Sequence, residues 1–372
     1  MRHGLPAEPV AFAVAGVALL TGTILFCASH SGVSSRIAGL DREADSSVPS
    51  LVALLGLPTP ALRWVDIGRM NVLCAEGLAG AGGSDLNICL AKLDEMAARV
   101  RSETARHLYR FQAKPAEFED SEGFFRMLML AVVLYEDFSV RYNPDRISTP
   151  GTLDPNDHFF ADSRDLFLHG LLVEQSSSPS PSPTLNPLPR HSQATAGQPL
   201  AAPRLGEGGS TLNHPHGTWS SLPVLQVAVG RRLGYPLKLV TTKGHLFVRW
   251  EGAQERFNIE AAGNGVSRFA DDYYRHWPLE VAPAEEAAEG YLKSLTPAEE
   301  LAVFLSIRGM CLREADKLPE AADAFAAAAR LAPACRGYQS VLASFRARQR
   351  PGPPPVKPQA DETAANHNSP SL

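Results

Sequence analysis

The sequence predicts an α+β fold: a helical N-terminal layer, then a helix followed by an antiparallel sheet, then a short all-α helical hairpin repeat. Three observations carry this expectation. Apolar residues recur at helical spacing in three stretches upstream, most densely from Phe124 to Phe138. Beyond Gly234 the pattern changes to short β-rich runs separated by glycine-containing pairs. After Thr296 it returns to two helices with small residues at regular intervals.

The chain has 372 residues, 44% hydrophobic and 20% charged, which is enough for two domains plus unstructured segments. Its formal net charge of −5 leaves no electrostatic footprint for phosphate, so nucleic acid is excluded as a partner. Val10 to Ala28 (VAFAVAGVALLTGTILFCA) is uncharged and apolar, close to the ~20 residues that span a bilayer core. Residues 1–30 are therefore a membrane anchor or a signal segment. A secretory apolar region usually runs ~7–15 residues, so the length favours a retained anchor. Phe26, where a small residue would precede a lipidated cysteine, argues against lipidation at Cys27. Arg2 before the segment and Arg36 and Arg42 after it give a feeble orientation bias. The expectation is a single N-terminal span with the main domain outside the cytoplasm; secretion after cleavage is the alternative. Residues 31–60 read as a Ser-rich juxtamembrane linker.

The main domain is expected over residues 61–280. Helical spacing runs through Val65 to Glu76 and again through Leu86 to Val100, with Gly80 to Gly83 breaking the two. Phe124 to Phe138 (FFRMLMLAVVLYEDF) is apolar almost throughout, which predicts a helix buried on most sides. Five cysteines, Cys27, Cys74, Cys89, Cys311 and Cys335, form no CxxC pair and have no histidine at ligand spacing. No disulfide framework, metal site or cofactor is expected; Cys74 reads as a small core hydrophobe. Residues 175–212 are rich in Ser, Pro and Gly and read as a disordered insertion inside the domain. A second disordered segment is expected over 348–372.

From Gly217 the chain reads GTWSSLPVLQVAVGRRLGYPLKLVTTKGHLFVRWEGAQERFNIEA. Thr218 or Ser220 can cap a helix, Pro223 suits its first turn, and Leu222, Leu225, Val229 and Leu233 share one stripe. Gly234 stops it. Leu237 to Thr241, Leu246 to Trp250 and Arg256 to Glu260 then read as consecutive antiparallel strands. In cysteine hydrolases and acyl transferases a thiol at a helix N-terminus is activated by a histidine that a carboxylate orients. His245 opens one strand and Glu260 ends the next, so a hairpin can pair them as base and orienter. The nucleophile should then lie near Trp219.

The runs Gly217-Thr218-Trp219-Ser220-Ser221, Arg231-Arg232-Leu233-Gly234-Tyr235-Pro236, Gly244-His245-Leu246-Phe247-Val248-Arg249 and Asn258-Ile259-Glu260 resemble the transglutaminase-like superfamily, SirB-type branch. Val65-Asp66-Ile67-Gly68 through Cys74-Ala75-Glu76, Leu93-Asp94-Glu95-Met96 and Asp162-Ser163-Arg164-Asp165-Leu166 resemble that branch's helical region. The similarity covers roughly Asp66 to Trp277, minus the insertion, and implies a papain/transglutaminase-like core. By it His245 matches the catalytic histidine, Glu260 stands where the acidic third member lies, commonly Asp, and Trp219 stands at the cysteine. An indole is no nucleophile. The resemblance therefore implies a catalytically inactive, membrane-tethered module that binds or scaffolds an unidentified protein partner. Trp219 is then an aromatic plug or a ligand platform, and His245 a structural histidine. The alternative is a hydrolase or acyl transferase in which Ser220 or Ser221 replaces the thiol, with His245 and Glu260; these serines also read as capping groups. A redox or metal role for Cys74 or Cys89 would need two ligands converging in space.

Residues 290–347 form the C-terminal helical region. Thr296, Pro297 and Glu299 read as N-cap, N1 and N3 of a capping box. Gly309, Leu312, Ala321, Phe325, Ala328 and Pro333 resemble a tetratricopeptide repeat, with Asp316 where a glycine is usual between the helices. A lone unit leaves apolar faces open, so a further helix, Tyr338 to Phe345, is expected to cap or dock it.

Overall fold

The computed structural model describes residues 48–146, 158–173 and 215–348. It is a mixed fold, mostly helical with a small antiparallel sheet, which agrees with α+β in general. The linker expected over 31–60 is packed where it is described. Ser50 caps α1 (Leu51–Leu55) by accepting the Ala53 N–H, a 3₁₀ turn follows at Thr59–Trp64, and Leu54 and Leu62 are buried. Asp66 caps α2 (Ile67–Cys74), every residue of which is buried.

Asp85 caps α3 (Leu86–Ala113), whose 28 residues run well past the expected end near Val100. The reason is tertiary: Leu108 and Phe111 pack against Phe118, Phe125 and Met129, which lie beyond the helix in sequence. Ser121 caps α4 (Glu122–Val132), which passes into a π-helical turn, Val133–Asp137, burying Tyr135. A parallel pair, β1 (Arg141–Tyr142) and β2 (His216–Gly217), joins this layer to the segment that follows. Between them in sequence the described residues include 3₁₀ turns at Pro144–Arg146 and Ser163–Asp165 and a short α-helical turn, α5 (His169–Leu172).

The central helix, α6 (Leu222–Arg232), departs from the expected stripe. Leu222 to Gly230 are all buried, and Leu233, placed on the stripe, is only half-buried. The α6 helix is enclosed, not amphipathic. Gly234, at φ 76°, ends it in the conformation that favours glycine.

Three antiparallel strands follow in the order β3 (Leu237–Thr242), β4 (His245–Glu251) and β5 (Arg256–Ile259). Thr242 pairs with His245 across Lys243-Gly244, and Gly244 has φ 73°. Strand alternation gives the sheet two different faces. Leu237, Leu239, Leu246, Val248, Trp250, Phe257 and Ile259 join the large core that contains α6. Val240 and Phe247 join a second cluster with Tyr274 of α7 (Asp271–His276) and Leu292.

Arg249 points to that second face, and its side chain is 1% exposed. It donates to Asn258 Oδ1 at 2.8 Å, Leu292 O at 3.0 Å and the Asp271 carboxylate, so one guanidinium ties β4, β5, α7 and the following loop together. Burial holds its pKa below the usual guanidinium value, with Asp271 opposing that effect.

The C-terminal region is built from α8 (Pro283–Glu289), α9 (Pro297–Glu314), α10 (Leu318–Leu331) and α11 (Arg336–Arg348). Thr296 and Glu299 form the reciprocal capping box. A Cβ on Gly309 would lie 2.7 Å from the Phe325 ring, so α9 and α10 approach at a distance only glycine permits. Asp316 adopts φ 57°, the conformation a glycine would take between the helices. The pair does not stand free. Arg308 donates to Cys74 O at 2.9 Å, Arg231 pairs with the fully buried Glu300, and one apolar cluster runs through both regions.

The membrane expectation is corrected. No helix among the described residues is long and apolar enough to cross a membrane. The α3 helix, at about 42 Å, has the length but carries Lys92, Asp94, Glu95 and Arg99 along it. The expected span, 10–28, lies outside the described residues. The single N-terminal span, the membrane as a partner and the extracytoplasmic placement are therefore withdrawn. The insertion expected over 175–212, and the tail expected over 348–372 apart from Arg348, also lie outside the described residues.

Removing Asp271 leaves the Arg249 charge buried with only neutral acceptors. Asp271→Ala should cost about 3 kcal/mol of unfolding free energy in a urea titration, more than the exposed-pair substitution Glu122→Ala.

Candidate functional site

The β4–β5 hairpin decides where the two predicted polar residues meet. Val248 pairs with Ile259 and Arg249 with Asn258, so His245 at the start of β4 and Glu260 just past β5 fall on the α7 face. His245 Nε2 is 2.8 Å from Glu260 Oε2, and the two side chains are 3% and 8% exposed. The carboxylate accepts more than the imidazole. Ala262 N–H donates to Oε1 at 2.9 Å and the Tyr274 hydroxyl to Oε2 at 3.3 Å, which satisfies both oxygens. Burial and the adjacent Glu260 push the Tyr274 phenol far above its usual range, so it stays a donor. The His245 ring meets Trp277 edge-on, with centroids 4.7 Å apart.

The loop after Glu260 is fixed from the other side. Gln226 Nε2 of α6 donates to Gly265 O at 3.0 Å, and the Tyr135 hydroxyl donates to Ala261 O. Gly265, at φ 70°, leaves no space for a Cβ, which would lie 2.4 Å from the Tyr135 ring. Glu260 N–H itself bonds Ser267 O at 2.8 Å.

The segment before α6 has a different set of partners. Thr218 Oγ1 donates to Asp165 O at 2.8 Å, Ser220 Oγ to Leu166 O at 3.1 Å and Ser221 Oγ to Asp165 O at 3.1 Å. All three residues are buried. Ser221, not Thr218 or Ser220, is the N-cap residue, and its hydroxyl accepts the Thr218 N–H at 2.9 Å. A hydroxyl has one proton, and these protons go to backbone carbonyls rather than to His245. Trp219 is half-buried and stacks on Phe159, with centroids 5.9 Å apart and planes 8° from parallel. Burial pushes the Tyr142 phenol up to about 12, opposed by the backbone amide of Trp219 and helped by the nearby Glu260 and Asp165 carboxylates.

The structure thus brings His245 and Glu260 together, gives the Trp219 indole to Phe159, and ties Ser220 and Ser221 to the Asp165–Leu166 carbonyls. Tyr135, Tyr142, Gln226, Tyr274 and Trp277 complete the surroundings, and sequence reasoning missed all five. Only register could have found Tyr142, because β1 has two residues and no alternation to detect. Cys74 and Cys89 are buried, and burial pushes their thiols up to about 12 and about 11. They pack as hydrophobes.

No family model, curated protein or solved structure matches this chain. What the site can do rests on its own groups. A carboxylate-oriented imidazole is a base in search of a nucleophile, and the described residues beside it supply neither a thiol nor a hydroxyl hydrogen-bonded to the ring.

The 163–169 turn that receives the α6 hydroxyls carries one more buried titratable group. His169 Nε2 lies 3.2 Å from Ser163 Oγ, which donates to Ala79 O at 2.6 Å, and burial pushes the imidazole down to about 4. A neutral folded histidine contributes its full stability above the unfolded pKa near 6.5 and loses it as pH falls towards 4. Denaturant titrations between pH 7 and pH 4 should show wild type losing up to about 3 kcal/mol more than His169→Gln.

Proposed function

We propose that this chain is a transglutaminase-like, papain-like core without catalysis, which serves as a protein-interaction or scaffolding module. One observation carries the reading: an indole, Trp219, precedes the buried helix where the fold would present a thiol, while the His245–Glu260 pair is intact at 2.8 Å. The order of one enclosed helix followed by three antiparallel strands supports the core assignment. Glycine-permitted packing at Gly309 and the left-handed Asp316 support the tetratricopeptide-like assignment of α9 and α10.

Trp219, half-buried and stacked on Phe159, is the aromatic surface this reading offers to a protein partner. The repeat is a poorer candidate for that role. Eleven residues of α9 are buried, since α9 packs on α2 and α10, so the helix is used inside the fold. Against a serine hydrolase stands the chemistry of Ser220 and Ser221, whose protons are held by Leu166 O and Asp165 O.

In this reading the imidazole is retained because its loss leaves Glu260 buried without its strongest donor. The full chain and its His245→Ala form should hydrolyse ester and amide substrates at the same background rate, while the variant loses about 3 kcal/mol of stability. Turnover by wild type that disappears in His245→Ala overturns the reading.

A further inference from the structure

The sheet has one covered edge and one open one. Along β3, Leu295 N–H donates to Leu239 O and Leu292 N–H to Thr241 O, both at 2.9 Å, so the chain beyond α8 closes that side. On the other side β5 is the outer strand. Gly252 N–H bonds Glu255 O, which sets the phase of the hairpin: bonded pairs recur at every second residue, at Trp250–Phe257 and Val248–Ile259. Arg256, Asn258 and Glu260 therefore turn their N–H and C=O groups outward. Glu260 N–H takes Ser267 O at 2.8 Å, but among the described residues the backbone N–H and C=O groups of Arg256 and Asn258 have no hydrogen-bond partner.

The path of the chain after Ser267 leaves this edge open. Asn258 Nδ2 donates to Phe269 O at 3.0 Å and to Asp271 Oδ1 at 2.8 Å, which carries residues 269–271 out of the sheet plane and over its α7 face. Arg268 turns the other way, over the Phe257 and Phe124 rings, and pairs with Glu119. A groove of about 590 Å³ lies between these two walls, floored by the unpaired backbone of Arg256 and Asn258.

Hydrogen-bond spacing sets what fits such a groove. Outward N–H and C=O groups two residues apart match an extended peptide backbone, and an added strand is the natural occupant of an open edge. Ser267 blocks the far end, so only a short stretch can pair. Charge selects further. The Arg256 side chain is 51% exposed, its nearest carboxylates, Asp271 at 3.5 Å and Glu251 at 3.9 Å, accept no hydrogen bond from it, and Asp271 is already engaged by Arg249 and Asn258. A residue paired opposite Arg256 presents its side chain on the same face, where a carboxylate would complete that guanidinium.

We infer that the β5 edge binds a short extended segment of a partner protein, added as a fourth strand, with an acidic side chain opposite Arg256. The inference rests on the proposed reading of the chain as an interaction module, and goes beyond it by naming a surface that does not involve Trp219.

The test uses the full chain and two end-blocked hexapeptides, one alternating Val and Glu, the other alternating Val and Lys. Anisotropy of the labelled peptides, carried to millimolar protein, reports binding, and residue-resolved amide hydrogen exchange reports the edge. Wild type should prefer the Val-Glu peptide, which at about twice its measured Kd should slow exchange at Arg256 and Asn258 by about threefold. Arg256→Glu should reverse the preference between the two peptides. Arg256→Pro, which deletes an N–H that no ladder bond uses, should abolish binding of both. Absence of Val-Glu binding, binding that leaves these two amides unprotected, or a preference that Arg256→Glu does not change each overturns the inference. The charge-reversal arm decides the matter if Arg256→Pro does not fold. Any of these negative results leaves the non-catalytic reading standing, because that reading falls on His245-dependent turnover.

Discussion

A helix enclosed on every side must have all of its polar groups answered from within the protein, and α6 imposes that constraint on everything around it. At its N-terminal side the Leu222 N–H bonds Thr218 O, and the hydroxyls of Thr218, Ser220 and Ser221 donate to the carbonyls of Asp165 and Leu166, which ties the start of the helix to the preceding layer. Its C-terminal side is answered by cations, which also suit the helix dipole. Arg231 reaches the buried Glu300 of α9, and Arg232 pairs with Asp66 at the start of α2. One helix therefore fixes the placement of both flanking helical regions.

The sheet works from the opposite direction. Its α6 face is apolar except for Thr241, whereas its α7 face carries two buried polar clusters on neighbouring strands, Arg249 with Asn258 and Asp271, and His245 with Glu260. Each holds the second face to the elements that cover it. The same geometry that would orient a catalytic base is thus a structural bond in its own right. Breaking such a pair leaves a buried carboxylate without a donor in an apolar surround, which gives the pair a structural role whatever its chemistry.

Much of the architecture was legible in residues close together in sequence. The three strands, the Lys243-Gly244 turn, the Gly234 stop and the Thr296–Glu299 box are set by interactions spanning a few positions, and each falls where the pattern puts it. Three features escaped for a common reason. The length of α3 depends on a phenylalanine cluster further along the chain, the full enclosure of α6 depends on what covers its remaining faces, and the order at Ser50 to Trp64 depends on burial of Leu54 and Leu62. Propensity and periodicity register one face of one element at a time. The span expected at 10–28 lies outside the described residues, among which no helix is long and apolar enough to cross a membrane.

For the site, the residue types and their order along the strands were enough to pair His245 with Glu260 and to put Trp219 at the head of the helix. That much is local, since a hairpin of known register brings two strand ends together whatever surrounds it. Whether Ser220 and Ser221 could serve as nucleophiles was decided only by tertiary structure, because the carbonyls that hold their protons lie 54 and 56 positions away. The same is true of Tyr142, which two paired residues of backbone set opposite Gly217. A side chain's chemistry is written in its type, but the direction in which its proton points is set by whatever the fold packs beside it.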